Sequence, residues 1–223
     1  MTKNLFLQAI SKFALGLIGI ALLLFLPAGT FHYWNGWLLI AILFVPMFFA
    51  GIVMMLRDPE LLKKRLNAKE DEAEQKTVIA LSGLMFLAAF ITAGLNFRFG
   101  WIVMPRWSAW IAAGVFLAAY LMYAEVLREN AWLSRTIEVQ AHQKVVDTGL
   151  YGIVRHPMYA ATVLLFLSMG FVLGSPISFV ILLFYLPIIS KRIRNEEAVL
   201  MQGLEGYRAY REKVRYKVIP FIW

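Results

Sequence analysis

Residues 149–159 read GLYGIVRHPMY, and residues 160–190 read AATVLLFLSMGFVLGSPISFVILLFYLPIIS. The second stretch decides the fold: it holds no charged residue and is interrupted once, at Gly174-Ser175-Pro176. Each half runs to about 15–18 residues, at or just below the length a helix needs to cross the hydrocarbon core of a bilayer. The stretch is expected to form either a pair of short spans or a helical hairpin dipping into the membrane. Both return the chain to the side it left, so an arginine, a histidine and a proline at its start lie next to whatever follows Ser190.

Working outward, four more segments are long and apolar enough to span, at roughly residues 12–29, 36–56, 78–97 and 108–127. The composition agrees: 61% hydrophobic, 16% charged, mean hydropathy +0.67, against about a quarter charged in a soluble domain. The expected fold class is an all-α integral membrane protein, four transmembrane helices plus the C-terminal hairpin or pair of short spans. The chain divides into spans over 1–127 and a C-terminal region over 128–223 that holds the apolar hairpin and the polar segments on either side of it. The first apolar run, Phe13 to Gly29, follows Lys3 and Lys12 but is followed by PAGTFHYW rather than a small-x-small cleavage site, and is kept as a span. With no cysteine, disulfides, thiolate metal sites and a cysteine nucleophile are excluded; no metal site is expected.

The net charge of +8 is explained by topology. With the N-terminus cytoplasmic, every one of the 22 basic residues except Arg98 and Arg106 falls in a cytoplasmic segment, Lys69 and Arg135 among them, as the positive-inside rule requires. That leaves no reason to invoke nucleic acid. Phe31, Tyr33, Trp34 and Trp37, with Trp101, Trp107 and Trp110, mark the outer boundary as interfacial aromatics. Ala112, Ala113, Gly114, Ala118 and Ala119 give the fourth span a face for close helix packing. The first four spans carry no ionisable residue near their centres, which argues against a pore or carrier.

The chemistry is concentrated on the cytoplasmic side of the last 95 residues. Thr148-Gly149-Leu150-Tyr151 leads into Arg155-His156-Pro157-Met158-Tyr159. Across the hairpin lie Arg194-Asn195-Glu196-Glu197, then Tyr207, Tyr210 and Arg211, then the tail from Val214 to Pro220. Pro157 suits the first turn of a helix, where its missing N–H is not needed, and Arg155, His156 and that helix terminus make a place for an anion. Glu196 and Glu197 supply the opposite sign, so a ligand bearing both charges is expected between the blocks. Each residue alone has a plainer role: Arg155 on a lipid phosphate, Glu196 as an i,i+4 partner of Arg192, the tyrosines as interfacial aromatics.

Together, TGLYGIVRHPMY, RNEEAVL and GYRAYREKVRYKVIP resemble the isoprenylcysteine carboxyl methyltransferase family, within the membrane methyltransferases that include the phospholipid methyltransferases. The resemblance covers about 75 residues, three motifs in order around an apolar hairpin. It implies S-adenosylmethionine as cofactor, held at the cytoplasmic face by Gly149, Tyr151, Arg155, His156, Pro157, Tyr159, Glu196, Glu197, Tyr207, Tyr210 and Arg211, with Arg155, His156 and Arg194 carrying catalysis. The expected acceptor is lipophilic, an isoprenylcysteine-like carboxylate or another lipid, in a multi-pass prokaryotic plasma membrane protein with both termini cytoplasmic. Two alternatives stand beside it: an NADPH-dependent sterol or isoprenoid reductase, which shares the RHP and acidic pattern, and a non-catalytic lipid-binding module. Oligomeric state is not legible.

Overall fold

The computed structural model describes residues 3–66, 73–133, 137 and 139–223; Lys69 and Arg135, counted above among the loop charges, lie outside them. The described residues form α-helices and one 3-10 turn, with no strand among them. The helices are α1 (Lys3–Ala28), α2 (Trp34–Arg57), α3 (Pro59–Leu66), α4 (Ala73–Phe99), α5 (Arg106–Glu129), α6 (Pro157–Val172), α7 (Pro176–Leu182), α8 (Tyr185–Gly203) and α9 (Tyr207–Lys213). Five stretches are long and apolar enough to cross a membrane: α1, α2, α4, α5 and the combined α7–α8 from Pro176 to Gly203. Their outer faces confirm what they meet, since Leu15, Leu26, Leu56, Leu84, Ile111 and Leu121 are each more than 60% exposed. In water such a surface would drive aggregation; in lipid it is the solvated face.

Helix packing follows the small residues. A Cβ at Gly94 of α4 would lie 2.6 Å from the Leu24 carbonyl oxygen of α1, and a Cβ at Gly170 of α6 would lie 2.6 Å from the Phe179 backbone of α7. Both glycines therefore permit backbone approaches that no other residue allows. The alanine face of α5 is buried at Ala109, Ala112, Ala113 and Ala119, and α5 packs along α6. Core residues from α1, α2, α4, α5, α6, α7 and α8 form one cluster, closed by Val218 of the tail.

The α6–α7 turn is fastened to the far end of the bundle. Tyr33 donates its hydroxyl to the Leu173 carbonyl at 2.6 Å, Asn35 its amide to Val172 at 2.7 Å, and Asn96 its amide to Gly174 at 3.3 Å and to Ile102 at 3.0 Å. Tyr33 and Asn35 lie at the start of α2, and Asn96 and Ile102 flank the end of α4. The turn thus reaches the level of the other two connections at that end, and the apolar run traverses the bundle twice rather than dipping part way. α6 manages this with 16 residues, a rise of about 24 Å.

The returning limb bends between α7 and α8. Pro187 has no N–H to offer the Leu183 carbonyl, and its ring displaces that carbonyl. The helix breaks at Leu183-Phe184, bridged by short-range bonds such as Phe184 N–H to Ile181 O at 3.1 Å.

Candidate active site

At the opposite end of the bundle the two motif blocks meet. Three glycine- and asparagine-dependent contacts set the approach. α5 ends at Glu129, and Asn130 behind it donates its side-chain amide to the Tyr151 hydroxyl at 2.8 Å. Glu129 in turn accepts the Leu150 N–H at 3.1 Å. Gly149 opens the 3-10 turn Gly149–Gly152 at φ +48°, and a Cβ there would sit 1.5 Å from the Glu129 carboxylate. Only glycine fits. Tyr210 of α9 donates to the Tyr151 carbonyl at 2.8 Å, so the turn is gripped from both sides.

The chain then enters α6 through Arg155, His156 and Pro157, all buried. The Arg155 Nε donates to Glu197 Oε1 at 2.8 Å, and its terminal nitrogen donates to the Val214 and Arg215 carbonyls at 2.7 Å each. The main chain of the same segment takes up the tail: Arg155 N–H to Tyr216 O at 2.9 Å, His156 N–H to Lys217 O at 2.8 Å. Glu197 also meets His156 Nε2 at 3.2 Å and Lys217 Nζ at 3.4 Å. Glu197 is thus a buried carboxylate inside a cationic shell, and Arg155 is a pin that fixes the C-terminal tail. A charge pair so deep is costly to desolvate and is retained only with its remaining hydrogen bonds made, as these are.

This closes part of the space that the sequence left for a ligand. The Arg155 and Glu197 side chains meet directly instead of facing each other across a gap. What stays open is the next layer, where Tyr159 donates its hydroxyl to Glu196 at 2.5 Å and accepts from Arg192 Nε at 2.9 Å. The Glu196 side chain is 23% exposed.

A narrow cleft of about 90 Å3 is lined by Tyr151, Arg155, His156, Tyr159, Arg192, Glu196, Tyr207 and Tyr210 among the polar groups, and by Trp132, Ile137, Met158, Leu200 and Leu204. Tyr207 is 4% exposed, and its hydroxyl has no hydrogen-bond partner among the described residues. Burial pushes the Tyr207 phenol above its ordinary range, with the Glu197 and Glu196 charges adding to the effect. Burial likewise raises Tyr210 and takes Tyr151 up to about 12, the Asn130 amide pulling slightly the other way. All three stay protonated at neutral pH; Tyr210 donates to the Tyr151 carbonyl, while the Tyr151 hydroxyl accepts from Asn130.

Of the residues singled out in the sequence, the fold brings Gly149, Tyr151, Arg155, His156, Pro157, Tyr159, Glu196, Glu197, Tyr207 and Tyr210 together. Arg194 and Arg211 are exposed and do not line the cleft. Helix periodicity is the reason at Arg194: Ile189, Arg192, Ile193, Glu196, Glu197 and Leu200 share a face of α8, and a residue two places from Glu196 points away. Arg192 takes that place. Asn130 and Trp132 went unmarked in the sequence, and Arg192 was read there only as a helix-face partner of Glu196; Asn130 carries no signal beyond its place at a helix end.

A bundle of membrane-crossing length, with a cleft of paired charges and protonated phenols at one end, is that of a multi-pass integral membrane protein. A family model matches the same segment. Residues 110–202, from α5 to the end of α8, match the isoprenylcysteine carboxyl methyltransferase (ICMT) family, a family of membrane methyltransferases, as the motifs implied. The match holds the first two motifs; the third, from Gly206, lies beyond it. No curated protein matches the chain.

Proposed function

We propose that the protein is an S-adenosylmethionine-dependent methyltransferase acting, at the cytoplasmic membrane face, on a lipophilic acceptor that enters from the bilayer. The observation that carries this reading is the buried, unpartnered hydroxyl of Tyr207, a residue that lines the cleft together with Glu196 and Arg192. A buried donor left unmade costs free energy, and a ligand with an acceptor removes that cost. S-adenosylmethionine fits the donor set: a carboxylate for Arg192, an amine for Glu196, hydroxyls and ring nitrogens for the phenols, and a flat base for the wall made by Trp132, Leu200 and Leu204. Arg155, His156 and Glu197 shape the floor, and Tyr210 and the tail hold its rim.

When bound, the cofactor supplies an electrophilic methyl on a sulfonium sulfur. The residues of the chain then have to align an acceptor in line with it and keep water out. A carboxylate acceptor needs no general base, which suits a cleft whose accessible carboxylate, Glu196, is already engaged by Tyr159. On the lipid side, an apolar groove of about 440 Å3 runs between α4 and the α7–α8 bend, lined by Leu81, Leu84, Met85, Phe184 and Ile188 and ending at Lys191. Lys191 is followed by Arg192 of the cleft. An isoprenoid or acyl tail in the groove would place its polar head at that junction, beside the cleft.

Calorimetric titration of the purified protein with S-adenosylmethionine and, separately, NADPH tests the reading. Saturable binding of the first only, weakened in Glu196→Gln protein that remains folded, supports it. Binding of NADPH alone would make the protein a reductase, and binding of neither would leave a lipid-binding module.

A further inference from the structure

The end of the bundle remote from the cleft contains a second pocket, of about 300 Å3, between the start of α2, the α4–α5 connection and the α6–α7 turn. Its polar lining comes from Asn35, Asn96, Arg106 and Ser108. The two asparagines are 7% and 4% exposed, and they differ in what they have left to give. Asn96 is used on both sides of its carboxamide, donating to Ile102 and Gly174 and accepting from the Ile102 N–H at 3.1 Å. Asn35 spends its amide nitrogen on Val172, but its oxygen meets no donor among the described residues. The oxygen of this nearly buried residue is reached from the pocket and has both lone pairs free, an acceptor open to a ligand's donor.

Charge supplies the second observation. Residues 1–57, 75–124 and 148–195 contain no Asp or Glu, and every segment at this end belongs to them. Arg106 stands at the pocket with its guanidinium 5.9 Å from the Trp34 ring centroid, exposed and with no carboxylate in any segment that forms this end. Its counter-ion must come from outside the chain. Trp34 stacks near Trp110 at 6.1 Å, and Trp107 is 64% exposed beside them, which sets the pocket at the level where aromatic side chains meet lipid headgroups.

We propose that this pocket binds the headgroup of a glycerophospholipid, its phosphate against Arg106 and a hydrogen-bond donor beyond the phosphate, the amine of ethanolamine or the hydroxyl of glycerol, on the Asn35 oxygen. A choline headgroup offers the phosphate but no donor and is discriminated against. The site lies at the far end of the bundle from the methyl-transfer cleft and stands whether or not that assignment does. Since the pocket is walled by the α6–α7 turn that Asn35 and Asn96 hold, occupancy stabilises the turn.

The full chain in detergent, offered equal amounts of phosphatidylethanolamine, phosphatidylglycerol and phosphatidylcholine, is examined by native mass spectrometry and by thermal unfolding. The wild type is expected to retain one ethanolamine or glycerol lipid in preference to choline lipid and to gain thermal stability with it. Arg106→Gln, an exposed position whose loss leaves the lipid-free melting temperature unchanged, is expected to weaken retention about ten-fold or more, as for loss of a hydrogen bond to a charged group, and Arg106→Lys to restore part of it. Equal retention in Arg106→Gln, equal retention of all three lipids, absence of any retained lipid in the wild type, or the same stabilisation by inorganic phosphate alone would each overturn the assignment.

Discussion

Two buried groups at the cleft make opposite demands on stability. The Arg155–Glu197 pair is satisfied on every side, so removing one partner strands the other in the protein interior. Glu197→Ala is expected to destabilise the fold by about 3–5 kcal/mol, whereas Arg155→Met combined with Glu197→Leu costs much less, because both charges leave together; denaturant titration of the two variants separates these outcomes. Tyr207 behaves the other way. Its hydroxyl is unpartnered in the chain, so Tyr207→Phe is expected to leave the melting temperature unchanged or raised while weakening cofactor binding roughly 2- to 13-fold, the worth of one hydrogen bond. A variant that lost stability but not affinity would mean that the hydroxyl serves the fold.

The phenols also set a limit at high pH. Tyr151 is raised to about 12 in the folded protein, against roughly 10 in an unfolded chain. Protonation is therefore favoured by folding: the full stability is present below about pH 10 and is lost as pH rises through about 12. An alkaline absorbance titration, read as the difference between wild type and Tyr151→Phe, should show this late ionisation. Asn130→Ala should push it later still, since the amide that eases the phenolate is gone.

Among the elements, the 3-10 turn and the α6–α7 hairpin depend on single glycines. Gly149→Ala would need both a left-handed backbone at a residue with a Cβ and the withdrawal of the Glu129 carboxylate from the Leu150 N–H. The expected result is loss of methyl transfer with the helices intact, seen as unchanged far-ultraviolet circular dichroism and weakened cofactor binding. Gly170→Ala forces α6 and α7 apart where the backbones touch, and should lower the melting temperature by several degrees while leaving the cleft's residues in place. The α6–α7 turn itself was legible as a break, from Gly174-Ser175-Pro176. Its depth was not, because a 16-residue helix is compatible with a re-entrant loop or a crossing until Tyr33, Asn35 and Asn96 are seen to hold its tip.

For the molecule as a whole, the distribution of charge predicts an orientation that can be measured. The chain has no cysteine, so single cysteines report cleanly. Val103→Cys, at a residue 84% exposed in the α4–α5 connection, is expected to react with an impermeant maleimide in intact cells. Glu205→Cys, at the cleft end, should react only after the membrane is opened. The reverse pattern would put the cleft outside and remove the cytoplasmic assignment.

Sequence alone determined the membrane class, the helical architecture and which two blocks meet, since these rest on local quantities: apolar length, the count of charges per loop, and a hairpin that returns its ends to one side. The motif residues Arg155, His156, Glu196 and Glu197 were legible for the same reason. Only the tertiary structure decided how those charges are spent. Whether Arg155 faces a ligand or pins the tail depends on where Val214 and Arg215 come to rest, nearly sixty residues away. Whether Arg192 or Arg194 reaches the cleft depends on how α8 rotates against α6. Partner choice among buried charges is a property of packing, and no local pattern of residues encodes it.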